Sequence, residues 1–164
     1  MGIFEVVLIL ATLLCSLTAG FVLAFALVVM PGIGNLDDRE YLRAFQVIDG
    51  VIQKGQPIFM LVWIGSVVAL LISTVLAVWH LDGASRLLLI FVALIYVLGV
   101  QLPTFTVNVP LNNKLQAMEV DALSETTRHA VRKDFEPRWV LWNSIRTVLA
   151  SLASLLLIVL LLRV

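Results

Sequence analysis

The sequence predicts an all-α fold: a four-transmembrane-helix bundle with an amphipathic interfacial helix between the first and second spans. Three observations predict it. The 164 residues are 61% hydrophobic and 13% charged, with a mean hydropathy of +1.05, which no ordinary soluble domain reaches. Four apolar runs, at about 3–30, 57–80, 85–109 and 139–162, each suffice to cross a ~30 Å hydrocarbon layer, which takes about 20 helical residues. The charges gather in two stretches, 35–56 and 112–138, which read as connections outside the membrane. Residues 1–164 are read as a single integral membrane domain.

The first run, Ile3 to Met30, carries only Glu5 as a charge. It is longer than a signal-peptide core and lacks a basic leader, so it is expected to stay as a membrane helix. Pro31-Gly32-Ile33-Gly34 is expected to end it. Asp37 then stands three residues before Glu40, a capping-box arrangement. A helix follows to about Lys54, with Gly55 as its stop. Its apolar face holds Tyr41, Leu42, Phe45, Ile48 and Ile52, while Arg39, Arg43 and Lys54 take the other side. Such a helix lies on the membrane or lids the bundle. Asp49 projects among Leu42, Phe45 and Ile52, with Gln46 and Gln53 at the edge. An acid on that face needs a partner: it is either a rim acid or a group aimed into a pocket mouth, towards Arg146.

The second and third spans are joined only by residues around Leu81-Asp82-Gly83-Ala84, so they are antiparallel neighbours. Small residues recur every four positions: Thr12, Ser16, Gly20, Ala24 in the first span and Gly65, Ala69, Ser73, Ala77 in the second. With Ala150 and Ser154 in the fourth, they predict close backbone approach where lipid offers no hydrophobic drive. The connection 112–138 is expected to be helical around 115–135, with Glu125 and His129 as a surface pair. Both long connections fall on one side. They carry Arg39, Arg43, Lys54, Lys114, Arg128, Arg132, Lys133 and Arg138, which by the positive-inside rule points to the cytoplasmic side of a bacterial cytoplasmic membrane.

Net charge is zero, so nothing suggests nucleic acid. Cys15 stands alone in an apolar run and reads as a small core residue. His80 and His129 lie in different loops. No Cys/His/carboxylate cluster has the spacing of a zinc, di-iron or haem site, so no protein-held metal is expected.

The chemistry-bearing feature is a polar stripe through the last two spans. Gln101, Thr104, Asn108 and Asn112 fall within roughly 80° of one helix face. Trp139, Trp142, Asn143 and Arg146 fall within roughly 100° of the next by the same count. Amides and a guanidinium are costly in hydrocarbon and face protein or trapped water. Two such faces on adjacent helices predict one shared pocket. Pro103 and Pro110 each free a carbonyl about one turn back, predicting a kinked or partly unwound third span of the kind transporters use; plain helix termination with asparagine capping is the alternative. The tryptophans fit an aromatic belt. Arg146 lies ~10 Å deeper than Trp139 on a 1.5 Å rise; it either snorkels outward or holds an anionic or enolate oxygen.

Three segments resemble DUF1772, the anthrone oxygenase-like family of small four-helix membrane proteins. They are Val29-Met30-Pro31-Gly32 with Phe45-Gln46-Val47-Ile48-Asp49; Asn108-Val109-Pro110-Leu111-Asn112; and Trp139-Val140-Leu141-Trp142-Asn143-Ser144-Ile145-Arg146. The resemblance implies a four-helix membrane bundle and an oxygenase acting on polycyclic phenolic anthrones without metal or flavin. Such a site needs a base, an oxyanion donor and a dry aromatic cleft. Arg146, Asn108 and Asn143 are the candidate donors, and Asp49 or His129 the candidate base. Gln46, Gln101, Thr104, Asn112, Trp139 and Trp142 complete the candidate ligand-binding set. The expected partners are membrane lipid and a hydrophobic or aromatic small molecule, with a homo-oligomer open. Two further classes fit the same residues: a non-enzymatic binder of a lipid, quinone or other amphiphile, and a small transporter.

Overall fold

The computed structural model describes residues 2–164. Four helices are long and apolar enough to cross a membrane: α1 (Ile3–Gly34), α3 (Pro57–His80), α4 (Gly83–Gln116) and α5 (Glu125–Leu161). The short helix α2 (Asp38–Gln53) stands between the first two. The protein is therefore an integral membrane helical bundle. α1 packs most extensively on α3 and α5, and α5 on α4. The outward surface of the bundle is apolar, with Leu13, Leu17, Ile64, Val75, Phe105 and Leu141 all exposed.

At 1.5 Å per residue α1 and α5 are ~48 and ~55 Å long, against a hydrocarbon layer of ~30 Å. The surplus of α1, α4 and α5 gathers at one end and packs against α2 as a head. Two apolar clusters result. One fills the bundle, from Phe4, Leu8 and Leu157 up to Val22, Val100 and Ala150. The other fills the head, where Tyr41, Leu42 and Phe45 of α2 meet Leu111, Leu115, Phe135 and Trp139.

Local chemistry explains the head. Asp37 caps α2, its Oδ1 accepting from the Glu40 N–H at 2.8 Å. Gly55 ends it with φ +78°, a left-handed conformation that favours glycine. Arg132 of α5 donates to the Gly34 and Leu36 carbonyls, each at 2.8 Å, serving carbonyls at the C-terminus of α1. It also pairs with Asp38 and Glu136 and lies 4.3 Å over the Tyr41 ring. Burial pushes the Tyr41 hydroxyl pKa up, nearby Glu136 adds to that, and Arg132 opposes both.

Several expectations change. α1 does not end at Pro31: a π turn at Phe25–Val29 precedes a last α turn that runs to Gly34. α4 is neither broken nor unwound by its prolines. It takes up π turns at Val97–Gln101 and Thr104–Asn108. The Thr104 and Thr106 hydroxyls donate to the Val100 and Leu102 carbonyls. Wider turns and threonine hydroxyls are how membrane helices accommodate proline. The fourth span begins far earlier than residue 139, because α5 runs unbroken from Glu125, capped by Ser124. Pro137 is tolerated inside it, since both Pro137 and Lys133, whose carbonyl it frees, are exposed to solvent.

The small-residue ridge of α1 is also displaced. Of its four members Thr12 is buried and Ser16 half-buried, but Gly20 and Ala24 are exposed, and the inward line runs instead through Ala11, Cys15 and Ala19. Phe4 and Leu8 are fully buried on that inward face, and burying them sets the rotation of the helix. In α3, Ser73 and Ala77 are buried and Gly65 and Ala69 half-buried. A Cβ at Gly65 would stand 3.1 Å from Leu14 Cδ1, so glycine lets α1 and α3 approach there.

Candidate functional site

Between the two apolar clusters lies a polar layer. In α4 the core is interrupted by Gln101, Thr104 and Asn108; in α5 by Asn143, Arg146 and Thr147, all buried. All three π turns lie at this level, where α1 and α4 cross it.

A cavity of about 300 Å³ opens in this layer. All five helices line it. Phe21, Val22, Phe25, Phe45, Phe59 and Trp63 form an apolar and aromatic wall, and seven of the eleven residues marked by the sequence supply polar or indole groups: Asp49, Thr104, Asn108, Asn112, Trp139, Asn143 and Arg146. Larger openings exist, but the 590 Å³ one is a surface groove on the head lined by Arg43, Lys54, Glu119 and Asp121, away from the polar layer.

Arg146 is 5% exposed. Its Nη1 donates to Thr104 Oγ1 and its Nη2 to Asn143 Oδ1, both at 2.9 Å. Asn143 is oriented in turn by donating to the Val22 carbonyl at 3.1 Å, one turn before the π segment of α1. The guanidinium stands 5.9 Å from the Trp139 ring centroid, within cation–π range. Among the described residues no carboxylate pairs with it, and its Nε is buried without a partner. It therefore does not snorkel to solvent.

Asp49 is 3% exposed. Oδ1 accepts from Asn112 Nδ2 at 2.7 Å, and Oδ2 accepts from Gln53 Nε2 at 2.8 Å and Gln116 Nε2 at 2.9 Å. Amide hydrogen bonds offset the cost of burying the charge. Oδ2 is saturated, but Oδ1 keeps a lone pair. Trp139 Nε1 donates to Asn112 Oδ1 at 2.7 Å. That fixes which end of the Asn112 amide faces the carboxylate. Phe25 and Phe45 pack tilted and edge-on against the same indole.

The expected approach of Asp49 to Arg146 does not occur. Both line the cavity, yet each is held by neutral partners and the two form no ion pair. His129 is not at the site: it pairs with Asp38 at 3.0 Å, with a side chain 71% exposed. That leaves Asp49 as the candidate base, and the His129–Asp38 pair takes the place of the expected Glu125–His129 pair. Three other marked residues stand outside the lining. Gln46 donates to the Leu115 and Met118 carbonyls and braces the head. Gln101 accepts from Trp63 Nε1 at 3.0 Å and positions that indole. Trp142 is half-buried away from the cavity.

Sequence reasoning missed the aromatic wall from α1 and α3, because phenylalanines in an apolar span carry no signal of their own. Trp63 did carry one: an indole deep in a span needs an acceptor, and Gln101 was already marked. Gln116 was legible too, four residues past Asn112 on the same face. Among the described residues no three His, Cys, Asp or Glu side chains are grouped as metal ligands would be.

A family model described as anthrone oxygenase matches residues 51–156. The match takes in Asn108, Asn112, Trp139, Asn143 and Arg146 and stops short of Asp49 on α2. No curated protein and no solved structure matches the chain. With well over half of its length matched, from the end of α2 almost to the end of α5, the chain belongs to the anthrone oxygenase family.

Proposed function

We propose that the protein is an oxygenase that converts anthrone-like phenolic compounds to quinones in its intramembrane cavity, with dioxygen as the oxidant and no further cofactor. The observation that carries this reading is an unpaired buried cation and an unpaired buried carboxylate lining one aromatic cavity. Asp49 Oδ1 accepts a proton from the doubly benzylic methylene. The electron pair left behind delocalises onto the keto oxygen, which Arg146 holds with N–H donors that no protein group uses. The pair then bonds the methylene carbon to dioxygen, and Asp49 returns its proton to the outer oxygen. Loss of the second methylene proton breaks the O–O bond and releases water. Anthrone and dioxygen thus give anthraquinone and water. The apolar wall suits a fused-ring substrate and keeps bulk water from the anion.

α2 serves in this reading as the lid that carries the base, at the membrane interface. The head faces the cytoplasm by its excess of Lys and Arg. Purified protein in lipid nanodiscs, supplied with anthrone, tests the proposal. Oxygen uptake matched by anthraquinone formation is expected, and no rate above the uncatalysed one sinks it. The three amides on Asp49 favour a second reading, a quinone-binding protein without turnover. Anthraquinone binding with no anthrone oxidation would select it.

A further inference from the structure

We propose that the cavity is loaded sideways from the hydrocarbon of the bilayer, through a portal between α3 and α4 gated by Phe105. This rests on the reading of the cavity as a site for a membrane-dissolved aromatic. Most cavity-lining side chains are buried or half-buried, including Val22, Trp139 and Asn143. Three are exposed: Met60 at 40%, Ile64 at 52% and Phe105 at 64%. All three are apolar, and all lie in membrane-spanning helices. They are also level with one another. The Trp63–Gln101 hydrogen bond sets the antiparallel register of α3 and α4. Met60 and Ile64 flank Trp63, and Phe105 lies one turn from Gln101 towards the head. The head-side roof, by contrast, is shut by α2, with Phe45 1% and Asp49 3% exposed.

A fused-ring substrate partitions into hydrocarbon, so a lateral opening lets it reach Arg146 and Asp49 without crossing water. Phe105 stands at the boundary, touching both the cavity and the lipid. Its ring blocks the opening in one rotamer and lines it in another.

The test uses a W79F/W142F background in phosphatidylcholine nanodiscs, so that the remaining tryptophans, Trp63 and Trp139, both line the cavity. Anthraquinone is the probe, and stopped-flow quenching reads its association. F105A is expected to speed association several-fold, and M60F/I64F to slow it by about 10-fold, because a portal sets the rate of entry. A second arm uses lipids with brominated acyl chains. Bromine quenching of the two tryptophans should rise in F105A and fall in M60F/I64F. Association rates, or bromine quenching, that are equal in all three proteins overturn the portal. Failure of anthraquinone to quench the unaltered cavity overturns the proposed substrate class instead, and the brominated chains still decide the portal.

Discussion

Replacing Arg146 by leucine separates a working cation from a structural one. A developing oxyanion about 4 Å from the guanidinium gains roughly 4 kcal/mol at an effective dielectric constant of 20. That corresponds to about a 10³-fold loss in kcat/KM. The cost to the fold is smaller. Thr104 keeps its bond to the Val100 carbonyl and Asn143 its bond to the Val22 carbonyl. Thr104 Oγ1 and Asn143 Oδ1 each lose the Arg146 donor, but Thr104 still donates, so the main penalty is the unmet Asn143 Oδ1, at about 1–3 kcal/mol. Against this, a buried charge with no carboxylate partner disappears, and with it a desolvation cost of several kcal/mol. Arg146→Leu should therefore assemble and melt close to the unaltered protein, followed by near-UV circular dichroism in detergent, while anthrone-dependent oxygen uptake falls about 10³-fold. A bundle that fails to assemble, or activity retained within about threefold, would refute the assignment.

Three further outcomes follow from the same geometry. Asp49→Asn should lower the turnover of anthrone by about 10²–10⁴, the range of a lost general base, while anthraquinone binding measured by tryptophan quenching stays near normal; an unchanged rate would place the base elsewhere. Trp139→Phe removes the indole N–H that orients Asn112, costing roughly 0.5–1.5 kcal/mol. Combined with Asn112→Ala it should add little further loss of activity, whereas independent losses would show that the indole acts by another route. Gly99→Ala forces its new methyl into Leu149 Cδ1 and against Leu149 Cβ at 3.4 Å, so a thermal melt should show about 1–3 kcal/mol of destabilisation; an unchanged midpoint would mean that Leu149 turns aside freely.

Composition and periodicity reach the bundle because each membrane span must be both long and apolar. The α2 cap and stop were legible, since Asp37 and Gly55 act locally. The extent of α1, α4 and α5 was not. Pro31, Pro103 and Pro110 read locally as stops, and what carries the chain past them is the wider π turn beside each, joined in α4 by the Thr104 and Thr106 hydroxyls on backbone carbonyls. The rotation of α1 was equally hidden, because a glycine ridge and a Phe4–Leu8 face compete and only packing decides. The polar stripe was visible for the opposite reason: amides in hydrocarbon must find partners, so their faces predict one another. What the stripe did not reveal is that Asp49 satisfies itself with Asn112, Gln53 and Gln116 and stays apart from Arg146.

That separation bears directly on what the cavity is for. Had the layer existed only to lock the bundle, the low-energy arrangement would join its one guanidinium to its one carboxylate, cancelling both desolvation costs at once. Neutral amides and a threonine hydroxyl instead hold the two charges on a shared wall. Amides and hydroxyls solvate a charge without neutralising it, so both remain available to a third group. Moving a proton from substrate to Asp49 places a new anion beside Arg146 and removes the old one. The net charge of the cavity is unchanged through the step, and no solvent need reorganise around it. A catalyst of carbanion formation in hydrocarbon would draw on both charges in one step, whereas a binder would use them only as separate hydrogen-bonding groups, so the paired Arg146→Leu and Asp49→Asn assays separate the two.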